Sequence, residues 1–208
     1  MIIAIDGPSA AGKGTLARGI ANKLGYHFLD TGSLYRMVGL AMLQGEYADT
    51  DTQSAERIAK ALEPATMRDE ELRSEAVAAM ASKVAVMPEV RLALLDFQRQ
   101  FAKRYPGAVL DGRDIGTVVC PDADLKFFVT AATDIRAKRR HDELSAQGQL
   151  LDYADVLADV MARDERDANR KLAPTSAAED AIMIDTSELD AEEVLKAVLQ
   201  VIAEFKSI

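Results

Sequence analysis

Gly7-Pro8-Ser9-Ala10-Ala11-Gly12-Lys13-Gly14-Thr15 is the stretch on which the reading of this chain turns. Before it stands Ile2-Ile3-Ala4-Ile5, a short apolar run that reads as a buried strand. After it, Leu16, Ile20 and Leu24 recur along one face of a helix that Gly25 stops. Strand, glycine-rich turn and helix in that order can wrap an anion. The turn aims backbone N–H groups inward, the helix N-terminus adds unpaired donors, and a lysine at position 13 reaches the outer phosphates. Residues 7–15 are therefore the candidate phosphate-binding segment; a glycine-rich turn with an incidental lysine would not need these flanks. Gly14 occupies the slot where Ser or Thr ordinarily ligates magnesium, and the hydroxyl comes one residue later, at Thr15. Direct Mg²⁺ ligation by the loop is therefore not assigned.

Composition narrows the field. The chain has 208 residues, 49% of them hydrophobic, which suits one globular domain with a substantial core and excludes disorder. A net charge of −9 argues against general nucleic-acid binding. Cys120 is the one cysteine, which excludes a disulfide framework and a cysteine metal site; it reads as a small buried apolar residue. No apolar run approaches membrane-spanning length. The chain enters its first strand at residue 2, so no signal peptide is expected and the expected compartment is the cytoplasm. His27 and His141 read as a strand-end and a surface histidine.

Outward from the loop, four more short apolar runs read as strands: Tyr26-His27-Phe28-Leu29-Asp30, Ala108-Val109-Leu110, Leu125-Lys126-Phe127-Phe128-Val129 and Ala181-Ile182-Met183-Ile184-Asp185. The first of these runs into a polar turn, Thr31-Gly32-Ser33-Leu34-Tyr35-Arg36, and then an apolar helix over 37–43. Residues 51–105 read as mostly helical, with breaks at Pro64 and Pro88. Helices are also expected over 133–147 and 153–170, with a turn at 148–152, and a final helix turns Val194, Val198, Val201 and Ile202 inward. Five strands separated by helices argue for an α/β phosphate-loop (P-loop) NTPase fold: a five-stranded parallel sheet with helices on both faces. The expectation is a single domain over 1–208, with an acceptor-binding region at 31–105 and lid helices at 133–170.

Three charged sets could carry chemistry. Asp111-Gly112-Arg113-Asp114 leaves the third strand at the sheet edge where such folds bind ligands. There Asp111 can hold Mg²⁺ through water, and the Arg113 guanidinium suits a phosphate. Arg163, Asp167 and Arg170 fall at i, i+4 and i+7 of one helical face, a spacing that a solvated salt-bridged face shares. Arg136, Arg139 and Arg140 share another face and could close over ATP phosphates or simply face solvent.

Nearly the whole chain resembles the bacterial cytidylate kinases (CMP kinases), within the nucleoside monophosphate kinases, whose Gly-Lys-Gly-Thr variant it shares. The likeness is carried by the loop from Asp6 onward, by Leu29-Asp30-Thr31-Gly32-Ser33-Leu34-Tyr35-Arg36, by Asp111-Gly112-Arg113-Asp114-Ile115-Gly116-Thr117-Val118-Val119, and by Arg163-Asp164-Glu165-Arg166-Asp167-Ala168-Asn169-Arg170. The last two are the more specific to this family.

The resemblance implies transfer of the γ-phosphoryl group of ATP to CMP or dCMP with Mg²⁺, in a protein that is usually monomeric. ATP contacts are expected from Gly7, Pro8, Ser9, Ala10, Ala11, Gly12, Lys13, Gly14 and Thr15, with Arg139 and Arg140. The resemblance implies that Arg36, Arg113 and Arg170 hold the acceptor phosphate and that Thr31, Asp114 and Arg163 lie at the ribose. Ser82, Arg91 and Asp167 would read the base, and Tyr35 completes the acceptor set. Lys13, Arg113 and Arg170 are the implied catalytic residues. The chain departs from the family pattern before Arg73-Ser74-Glu75-Ala76-Val77. Only residues 63–72 stand where bacterial members usually carry a small β-rich insert. Kinases of AMP, UMP or shikimate on the same fold, and an ATP sensor without turnover, are the alternatives; the second set of phosphate-binding arginines argues against a sensor.

Overall fold

Each apolar strand needs cover on its faces, and the amphipathic helices between strands supply it. The computed structural model describes residues 1–63, 71–146, 148–170 and 172–207. Its elements run β1 (Ile2–Asp6), α1 (Lys13–Leu24), β2 (His27–Asp30), α2 (Thr31–Gln44), α3 (Thr52–Lys60), α4 (Glu75–Val84), α5 (Pro88–Ala102), β3 (Ala108–Asp111), β4 (Leu125–Thr130), α6 (Thr133–Ala146), α7 (Tyr153–Ala168), β5 (Ile182–Asp185) and α8 (Ala191–Lys206). A short 3₁₀ turn, Glu71–Arg73, precedes α4, and a π-helical turn, Ile115–Val119, follows β3. The five strands form one parallel sheet in the order β2-β3-β1-β4-β5.

The chain divides into two compact units. One comprises Met1–Phe28 and Lys103–Ile208, the other Leu29–Ala102. In the first, Ile3, Ile5, Val109, Leu125, Phe127 and Val129 point to one sheet face. Leu16 and Ile20 of α1 and Val194, Val198 and Ile202 of α8 close over them. Val201 lies partly buried against that core, and Cys120 is buried, as expected.

The second unit is helical. Its α2 starts at Thr31, so the Thr31–Arg36 stretch read as a turn is helix. Asp30 caps it, accepting the Ser33 N–H at 3.2 Å, and the polar residues are its first turn. Gly39 lets α2 meet α4, because a Cβ there would lie 2.9 Å from the Ala81 backbone nitrogen. Residues 64–70, most of the shortened insert, lie outside the described residues. In the first unit α6 packs on α7, and α7 ends at Ala168 with Asn169 as its cap. Arg170, expected inside that helix, follows its end.

Candidate active site

The phosphate loop exists because β1 delivers Gly7 into a space that only glycine fits. Its φ is 143°, and a Cβ there would stand 1.9 Å from the Val129 carbonyl oxygen. The loop then turns through Ala10 and Gly12, both at positive φ, into α1. Lys13 opens that helix. It is buried, and its Nζ donates to the Pro8 carbonyl at 2.6 Å, which folds the ammonium back across the loop. Burial pushes the Lys13 pKa down to about 7. The nearby Arg113 and Arg163 guanidiniums push the same way, and Asp111 and Asp6 oppose them.

Beside the loop lies an open cavity of about 550 Å³. Residues 10–16 line one side; Arg139, Arg140, Glu143, Thr186 and Asp190 are among the residues that line the rest. Arg139 is fixed there by two bonds to Thr186, to its Oγ1 at 2.9 Å and its carbonyl at 2.6 Å, while Arg140 pairs with Glu143. Arg136, grouped with them by spacing, goes elsewhere. Its buried guanidinium donates to the carbonyls of Ala131 and Ser9 and pairs with Asp164 at 2.6 Å. It braces the loop from behind and does not line the cavity.

The β3 exit supplies the second half of this unit's site. Asp111 and Asp114 are buried, and the Asp111 Oδ2 lies 3.6 Å from the place a Cβ on Gly14 would take. The Asp111 carboxylate thus stands next to the loop, at ordinary contact distance from where a side chain on residue 14 would begin. Arg113 donates through Nε to the buried Asp167 carboxylate at 3.0 Å, and Arg170 pairs with the other carboxylate oxygen from beyond the end of α7. One acid thus holds two arginines together. Asp6 was not among the expected site residues, although an ionisable group ending an apolar strand was the available signal. It accepts the N–H groups of Ile115 and Gly116, each at 2.7 Å.

The second unit carries its own cluster. Arg36 of α2 pairs with Asp30, and Thr31 is buried beside them at the start of the helix. The Arg91 guanidinium lies 6.0 Å from the centre of the Tyr35 ring and donates to the Ala85 carbonyl at 3.4 Å. Ser82 is half-buried on α4, next to the Ala81 that Gly39 approaches. His27 opens β2 and His141, half-buried on α6, meets the Leu151 carbonyl; neither lines the cavity. Among the described residues no group of three or more His, Cys, Asp or Glu could hold a metal, and no helix is long and apolar enough to cross a membrane.

A parallel sheet, a phosphate loop at the end of its central strand and a cavity at that loop define the class of phosphate-loop α/β proteins. Two solved structures share this architecture across nearly all of their length. An uncharacterized protein from Eubacterium ventriosum superposes with a TM-score of 0.60 at 15% identity over 98% of both chains. A gluconokinase from Sinorhizobium meliloti gives 0.50 at 14% identity, over 100% of this chain and 97% of that one. At these identities the likeness is one of fold. Sequence is more specific, and the chain belongs to the cytidylate kinase family, whose model matches residues 3–204. It is 51% identical over 207 residues to the cytidylate kinase of Rhodospirillum rubrum, covering 98% of this chain and 97% of that one. With the cytidylate kinase of Paramagnetospirillum magneticum it shares 53% over 204 residues, 97% of each.

Proposed function

We propose that this chain transfers the γ-phosphoryl group of ATP to CMP or dCMP, giving ADP and the corresponding diphosphate. The observation that carries the reading is the pairing, within one unit, of a phosphate-loop cavity with a separate arginine pair, Arg113 and Arg170, gathered on Asp167. A donor polyphosphate needs the first, and an acceptor phosphate gives a reason for the second.

Chemistry asks little of the protein beyond placement. A monophosphate has a second pKa of about 6, so its oxygen is already largely ionised at neutral pH and needs no general base. Catalysis is then alignment and charge stabilisation. The loop amides and Lys13 hold the donor. Arg139 and Arg140, on the far wall of the cavity, are its further contacts. Arg113 and Arg170 turn toward the acceptor phosphate, and Asp114 and Arg163 serve its ribose. Release of the arginines frees Asp167 to accept from the N4 amino group of cytosine, which uracil lacks. In the second unit, Arg36 serves the phosphate, Thr31 the ribose, and Ser82 and Arg91 the base, with Tyr35 beneath the Arg91 guanidinium. The α6–α7 pair closes as a lid that keeps water from competing as acceptor.

Magnesium fits the same arrangement. The buried Asp111 carboxylate stands beside Gly14 of the loop and would hold the ion through water. The ion supplies neutralisation of charge on the donor's outer phosphates. The chain is proposed to act as a monomer in the cytoplasm, without nucleic acid or membrane.

The test is ADP production from MgATP with CMP, dCMP, UMP, AMP and GMP offered singly. Turnover with CMP and dCMP far above the other three is expected. Equal turnover with UMP would discard the base-reading roles, and no acceptor-dependent ADP with any of them would discard the kinase.

A further inference from the structure

Three residues, Gly112, Arg113 and Asp114, connect β3 to the π-helical turn, and two of them are candidate acceptor contacts. Such a short segment is only as well placed as its two ends. The upstream end is tied by the Gly112 N–H, which donates to the Ile5 carbonyl at 2.9 Å. The downstream end is tied by the N–H groups of Ile115 and Gly116, which donate separately to the two carboxylate oxygens of Asp6, each at 2.7 Å. Both anchors are thus consecutive residues of β1. The residue that follows the strand, Gly7, begins the phosphate loop, and a Cβ there would stand 1.9 Å from the Val129 carbonyl oxygen.

From this geometry we infer that Asp6 is a positioning residue. Its carboxylate fixes Arg113 and Asp114 relative to the phosphate loop, so that the acceptor's phosphate meets a preformed site. The inference rests on the proposed kinase activity for its substrate and on the two bonds for its mechanism.

No smaller or neutral side chain does the same work. A carboxylate accepts at both oxygens, whereas an amide of the same shape accepts at one and turns an N–H group toward a donor at the other. Asp6 is buried, so neither N–H group gains water as a substitute partner. Burial also pushes the carboxyl up to about 6, with the neighbouring Asp114 carboxylate adding to the rise. The two N–H bonds hold it down, and so does Lys13 from α1. From β4, Lys126 packs its methylenes near Gly116, but its ammonium goes to the Pro121 carbonyl and to Asp180. Asp6 is therefore ionised at neutral pH and takes up its proton in mildly acidic solution, where one of the two bonds is lost.

The test uses Asp6→Asn in the full chain, with initial rates at saturating MgATP and a separate measurement of MgATP affinity. The expected result is a rise of at least about tenfold in the KM for CMP with MgATP affinity within about twofold of the parent. A merely structural role would lower the folded fraction and leave both constants as they were. Equal loss of ATP and CMP affinity, or no change in either, would overturn the inference.

A second measurement needs no variant. Amide resonances of Ile115 and Gly116 in the unsubstituted protein are followed from pH 5 to pH 8, alongside binding of cytidine 5′-sulfate, whose charge is constant over that range. Both amides should titrate together with a midpoint near the Asp6 pKa of about 6, and sulfate-ester affinity should fall below it. Flat amide shifts, or affinity indifferent to pH while the amides titrate, would contradict the role assigned to Asp6. If acceptor profiling shows a different nucleotide to be the substrate, the amide titration still stands and the kinetics are repeated with that acceptor. The two failures are thus separable.

Discussion

Lys13, a proposed donor contact, sits where burial opposes its charge. Its ammonium is buried near two guanidiniums, and its pKa stands at about 7 against 10.5 in the unfolded chain. The folded state therefore gives up a proton that the unfolded chain keeps between those values. Across that window stability contributed by Lys13 rises with pH, and below about pH 7 the buried charge carries its full cost. A bound polyphosphate reverses this, because it favours the charged ammonium. Binding of MgATP at pH 8 is accordingly expected to take up a fraction of a proton. Titration calorimetry in two buffers of different ionisation heat reads that fraction directly, and heats identical in both buffers would contradict it. The loop and its lysine were legible in the sequence because local spacing alone builds a strand, a turn and a helix start. The role of Asp6 is not legible there, since its partners lie more than a hundred residues away. The pairing of Asp167 with Arg113 has the same cause: 54 residues separate them.

At the scale of elements, α2 and α4 carry proposed acceptor residues in one unit, and α7 carries others in its own unit. Gly39 brings α4 against α2 and so seats Ser82. Gly39→Ala forces a methyl group against the Ala81 backbone and is expected to cost about 1–3 kcal/mol, read by chemical denaturation. A change below a few tenths of a kcal/mol would mean that the helices separate freely there. At the end of α7, Asp167→Ala leaves two arginines without their buried counter-ion, a loss expected to cost about 3 kcal/mol or more in the same experiment. Unchanged stability would show the pair to be incidental. Element types and most bounds followed from periodicity. The beginning of α2 and the end of α7 did not, because a capping aspartate and a capping asparagine decide them. Spacing also grouped Arg136 with Arg139 and Arg140, yet only the last two line the cavity. A common helical face fixes direction, while the partner each side chain finds depends on what packs around it.

For the whole molecule, a net charge of −9 coexists with arginines gathered near the phosphate loop, among them Arg113, Arg163, Arg139 and Arg140. Affinity for small anions is set by that local field and not by the total. Five strands and their parallel arrangement were legible from apolar runs alternating with helices; the order β2-β3-β1-β4-β5 was not, because adjacency is decided by which helix covers which strand. The central claim is that the arginines on Asp167 hold the acceptor's phosphate during transfer. Steady-state kinetics of Arg170→Ala with CMP and MgATP test it most directly. A fall of about 100-fold or more in kcat/KM for CMP, in a protein whose circular dichroism and MgATP affinity match the parent, is the predicted result. A folded Arg170→Ala protein phosphorylating CMP at close to the parent rate would contradict the account.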